Sequence, residues 1–174
     1  MKFLVGICVG VILTFAAIAS YFVFGFAPVA VADKPMPFEN YVADKTVDAH
    51  IARQPTKDSP LAVSEANLVS GAYLYGMNCA GCHGLPGKPK SAMGSAMFPP
   101  PPQFFAGHRG PVDDPIGEIY WKVANGIRLT GMPSFQGILS ETDLWQVSQV
   151  IANKDALPDA AKAALASADS DTSK

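Results

Sequence analysis

The sequence predicts an all-α fold, and three observations carry that reading. Three stretches place apolar residues at helical spacing, each with a start signal in front of it. No run alternates strongly enough to argue for a strand of comparable weight. A Cys-x-x-Cys-His run follows the first helical stretch directly, where a βαβ redox motif would follow a strand. In order along the chain, Ser64 is placed to cap a helix from Glu65 to about Met77, with Leu68, Ala72 and Tyr75 on one stripe. Pro115 can open a second helix to about Ala124, with Ile116, Ile119, Tyr120 and Val123 as its apolar positions. Ser140-Glu141-Thr142-Asp143 resembles a capping box for a third, reaching about Asn153 with Leu144, Val147, Val150 and Ile151 turned inward.

The ends of the chain read differently. Phe3 to Phe26 carries no charge, and these 24 residues would span about 36 Å at ~1.5 Å per residue, enough to cross a hydrocarbon core of ~30 Å. Lys2 is the only side-chain charge before the span, and it favours a cytoplasmic N-terminus. Ala30-Val31-Ala32 before Asp33 resembles a signal-peptidase site, so cleavage after Ala32 competes with a retained anchor. The anchor is preferred, because the apolar region of a signal peptide usually runs to only about 7–15 residues. Cys8, within the apolar run, reads as a lipid-facing or helix-packing residue. The expected organisation is an N-terminal membrane segment over 1–26, a Pro-interrupted spacer over 27–63, one folded domain over 64–154, and an Ala-rich tail over 155–174. Within the spacer, Val42 to Arg53 can form a short helix, and Pro158 can open a last helix in the tail.

Cys79-Ala80-Gly81-Cys82-His83 carries the chemistry. Two thiols three positions apart can each form a thioether with one vinyl group of a porphyrin, and the histidine that follows is held below the iron. The run therefore reads as the attachment site of one covalent haem c. A structural zinc site would need two further ligands at finger-like spacing, and the remaining cysteine is the distant Cys8. The 91 residues from Ser64 to Lys154 can bury only a limited core of their own. A bound haem would complete it, and the apo form is expected to fold poorly.

Gly71-x-x-x-Tyr75-x-x-x-Cys79-x-x-Cys82-His83, a later Gly131-Met132-Pro133-x-Phe135, and Trp145 in the last helix resemble a monohaem class I cytochrome c over roughly Ser64 to Lys154. The resemblance implies three to five helices around one covalent haem. It implies that the first and last helices cross where Gly71 lets their backbones approach, with Tyr75 and Trp145 packed around the crossing. It implies Met132 as the sixth iron ligand opposite His83, a soft thioether that raises the reduction potential. Trp121 and Arg128 become hydrogen-bond donors to the haem propionates, and a backbone carbonyl near the Pro86-Gly87 turn accepts the proximal imidazole proton. His108 is the main rival to Met132, and bis-histidine ligation would lower the potential. Met77 precedes the attachment site on the same helix, Met93 and Met97 belong to a rim loop, and His50 lies in the spacer. The run Met97 to Phe105, with four prolines, reads as a stiff segment: a crevice wall, a docking ridge, or simply a rigid loop.

With both axial positions filled, the iron offers no open position. The expected function is then one-electron transfer without a small-molecule substrate, between respiratory or dehydrogenase partners, tethered to the membrane through residues 3–26. Covalent haem attachment in this class takes place outside the bacterial cytoplasmic membrane, which implies a single-pass protein with its haem domain on the periplasmic face, or a soluble periplasmic one if cleaved after Ala32. Alternatives are a haem subunit of a larger oxidase or dehydrogenase complex and, less favoured, a gas-sensing or peroxidase-like protein with a labile sixth ligand. From Ser64 to Lys154 six Lys/Arg balance six Asp/Glu, which argues against nucleic-acid binding and for weak long-range steering of partners.

Overall fold

The computed structural model describes residues 2–55, 58–105 and 114–171 of the 174-residue chain. Regular structure among them is entirely helical. The chain divides into two compact units, Met1–Asp44 and Lys45–Lys174.

In the first unit, α1 (Lys2–Val23) buries none of its residues. It is the one described helix long and apolar enough to cross a membrane. Its one hydroxyl near the middle is satisfied internally, since Thr14 Oγ1 donates to the Gly10 carbonyl at 2.9 Å. Beyond it, the Asp33 carboxylate accepts the N–H groups of Val29 and Ala30 at 3.3 and 3.1 Å. Glu39 accepts from Met36 at 2.7 Å, at the start of α2 (Glu39–Ile51).

The second unit holds α3 (Glu65–Asn78), α4 (Ala80–His83), α5 (Ala92–Ser95), α6 (Ile116–Asn125), α7 (Glu141–Ala152), a 3-10 turn (Lys154–Ala156) and α8 (Asp159–Asp171). The start signals act as the sequence suggests. Ser64 Oγ accepts the Asn67 N–H at 3.2 Å. Ser140 and Asp143 form a reciprocal box, with bonds of 3.2 and 3.1 Å, satisfying two donors that the helix itself leaves unpaired.

Helix α3 packs on α7 and α8, and α6 packs on α7. The α3–α7 crossing is tight enough that a Cβ on Gly71 would overlap the Gln146 carbonyl and lie 2.9 Å from Val150 Cγ2. Beside it, Gln146 Nε2 donates to Asn67 Oδ1 at 3.0 Å. The inward stripes Leu68-Ala72-Tyr75 and Leu144-Val147-Val150-Ile151 are buried, as are Ile119 and Val123, whereas Ile116 and Tyr120 are only half-buried. Trp145 is 1% exposed and stacks on Tyr120, with ring centroids 4.0 Å apart. Ahead of Ser64, Ile51 is buried, and the Gln149 amide reaches back to the Leu61 carbonyl at 2.9 Å. Behind Lys154, Leu157 joins the core from the extended link before α8, and Ala161 and Leu165, four residues apart, join it from one face of α8.

Candidate haem-attachment site

The carboxyl end of α3 runs almost directly into α4, a single turn that carries Cys79, Cys82 and His83. A helix this short leaves most of its carbonyls without intrahelical partners. Side chains from three directions satisfy them. Tyr75 Oη donates to the Gly84 carbonyl at 2.9 Å, Ser91 Oγ donates to that of Gly81, and Gln103 Nε2 donates to that of Cys82 at 2.7 Å.

His83 Nδ1 lies 2.8 Å from the Pro102 carbonyl. A carbonyl can only accept, so Nδ1 carries the proton and Nε2 is the nitrogen left with a lone pair. The sequence-based expectation put this acceptor near Pro86-Gly87. That segment is the expected turn, closed by the Lys88 N–H on the Leu85 carbonyl at 3.3 Å with Gly87 at φ +68°, but it does not supply the acceptor. The acceptor comes from the proline run, because an extended Pro-rich strand makes no internal hydrogen bonds and presents free carbonyls. The imidazole also stacks on Phe104, with centroids 4.7 Å apart and planes 14° from parallel, and Phe104 and Phe105 pack edge-on to Tyr75. Burial lowers the His83 pKa, with the Pro102 bond opposing it, so the ring is held neutral as a metal ligand must be. Burial, and then Cys82, push the Cys79 thiol up to about 12.

The other expected site residues fall in several places. Met132 is half-buried against the core, in a tight loop in which its N–H bonds Thr130 Oγ1 at 3.1 Å and its carbonyl accepts from Ile127 at 3.2 Å. Met97 lies against that loop, where a Cβ on Gly131 would overlap its methyl group. Met93 Sδ is 3.8 Å from Cys82 Sγ. Arg128 is exposed. Trp121 packs on His50, with centroids 5.3 Å apart, giving that spacer histidine a partner on α6. His108 lies outside the described residues. The only sequence signal for Pro102 and Gln103 is their position in or next to the proline run, and Ser91, eight residues before it, carries none.

These residues fit a covalent haem: two unpaired thiols on one helical turn, and an imidazole fixed through Nδ1 with Nε2 left to coordinate. Residues 66–149 match the family model described as cytochrome c oxidase, cbb3-type, subunit III. They are a cytochrome c domain. The cofactor of such a domain is covalently bound haem c. A search of curated proteins and a search of solved structures each gave no match to the chain.

Proposed function

We propose that the cytochrome c domain is a one-electron carrier in which Cys79 and Cys82 hold the haem and His83 and Met132 ligate its iron. The observation that carries this is the fixed imidazole, neutral, with Nδ1 committed to Pro102 and Nε2 in reserve. When bound, the haem supplies a one-electron couple. The chain's part is to hold that couple rigidly and keep reactants off it. Tyr75, Ser91 and Gln103 lock the attachment turn. The Ile127–Met132 loop, pinned by its own backbone, presents a soft sulfur and so favours the ferrous state. Exposed Arg128, four residues before Met132, is placed in sequence to meet a propionate. Helix α1 serves as a tether that keeps the carrier concentrated near membrane partners on the periplasmic face.

The optical spectrum, oxidised and reduced, with and without carbon monoxide, tests this. A low-spin c-type spectrum with a far-red sulfur–iron band and no response to carbon monoxide is expected. A low-spin spectrum without that band would transfer the sixth position to His108, and ready carbon monoxide binding would end the carrier reading.

A second reading is favoured by the description of the matching family: the chain is a haem subunit of a cbb3-type oxidase. Its site chemistry is the same. Solubilisation in mild detergent distinguishes the two, because a subunit co-purifies with oxidase activity and a free carrier does not.

A further inference from the structure

The side chain of Gln103 engages three backbone groups, two of them distant in sequence. Its Nε2 donates to the Cys82 carbonyl at 2.7 Å and to the Pro101 carbonyl at 3.2 Å, and its Oε1 accepts the Ser91 N–H at 3.0 Å. The slot is closely built around the amide. A Cβ on Gly84 would stand 2.9 Å from Gln103 Oε1, and one on Gly94 would stand 3.0 Å from Nε2. Gln103 adjoins Pro102 in the chain, and Pro102 gives the carbonyl that fixes His83. One amide thus ties the attachment turn to the proline segment on both sides of the imidazole's hydrogen bond.

We propose that Gln103 is the positioning residue that sets the strength of the His83–Pro102 hydrogen bond and, through it, the reduction potential. The inference rests on the reading of His83 as the proximal ligand. A strong Nδ1–H···O=C bond makes the imidazole a better donor through Nε2 and stabilises ferric iron. Releasing the Pro101–Pro102 segment weakens that bond, so the potential rises. Ser91 Oγ serves as the internal contrast. It caps Gly81 and accepts the Gly94 N–H at 3.0 Å, but makes no bond to the proline segment.

The test compares Gln103→Leu and Ser91→Ala with the wild-type holoprotein. It reads thermal stability, midpoint potential, and exchange of the His83 Nδ1 proton by NMR. Both variants are expected to melt earlier. Only Gln103→Leu is expected to raise the potential and speed Nδ1–H exchange, by about tenfold, roughly what losing one hydrogen bond implies. If Gln103→Leu does not load haem, Gln103→Glu keeps the oxygen that accepts from Ser91 and loses both N–H donors, and the exchange rate alone is then decisive. Potential and exchange unchanged in a low-spin Gln103 variant, or moved equally by Ser91→Ala, would overturn the proposal. A wild-type protein without a low-spin c-type spectrum would instead overturn the ligand assignment beneath it.

Discussion

Gly71 of α3 lies so close to Gln146 of α7 that the Gln146 carbonyl occupies the space a Cβ would take. The two helices therefore meet backbone to backbone, and the clash at this point cannot be relieved by turning a side chain. Gly71→Ala is expected to lower domain stability by about 1–3 kcal/mol, although alanine is the better helix former. Thermal melting followed by circular dichroism measures the loss. An unchanged melting temperature would mean the helices can separate at no cost.

Both serine caps were legible in the sequence because they depend on local spacing, whereas this crossing was expected only from the resemblance to class I cytochromes c. The acceptor for His83 was not legible: a backbone carbonyl nineteen positions away carries no residue identity, and only the path of the chain brings it to the ring. Gln103 was missed for a related reason, since an amide becomes informative only once the carbonyls left unpaired around α4 are known. Trp121 also packs on His50, a contact between the spacer and α6 that spacing cannot reveal. In the tail, a stripe of Leu157, Ala161 and Leu165 was diluted by the alanines around it.

Leu165 is fully buried at the end of that stripe. Truncating a buried leucine removes its transfer energy and leaves a cavity, so Leu165→Ala is expected to cost about 2–5 kcal/mol. Chemical denaturation measures this. A cost near zero would mean that α8 does not dock on α3 in solution.

Leu129 gives an expectation of the opposite sign. It is 94% exposed and holds φ +62°, a left-handed conformation unfavourable for a residue with a Cβ. Glycine takes that conformation freely, and almost no packing is lost. Leu129→Gly should stabilise the domain by about 1 kcal/mol, seen as a higher midpoint in denaturant.

Tyr75 ties stability to alkaline pH. Burial above all raises its pKa, and the Cys79 sulfur adds to this only while it is a free thiol. A raised folded-state pKa means the native state keeps its proton where the unfolded chain has lost it. Stability is then complete below about pH 10, the ordinary tyrosine value, and falls above it by about 1.4 kcal/mol per pH unit. Tyr75→Phe removes this slope, and by stripping the donor from the Gly84 carbonyl costs about 1 kcal/mol at neutral pH. Unfolding free energies of the two proteins at pH 7 and pH 11 measure both effects. Parallel pH profiles would show that the buried hydroxyl ionises in place.

Met132→Ala tests the proposed iron ligation with little disturbance to the loop. The bonds that shape the loop are the Met132 N–H to Thr130 and the Ile127 N–H to the Met132 carbonyl, both through the backbone of residue 132, and alanine retains them. The half-buried side chain contributes packing at the lower end of the range for methionine, about 2 kcal/mol. The variant should therefore fold and keep its haem. With Met132 as the sixth ligand proposed above, its loss should lower the potential and open the iron to carbon monoxide in the ferrous state. Difference spectra and a redox titration of the variant read both. A variant that stays low-spin and inert to carbon monoxide would show another side chain filling the position, and Met132→Ala combined with His108→Ala would then identify it.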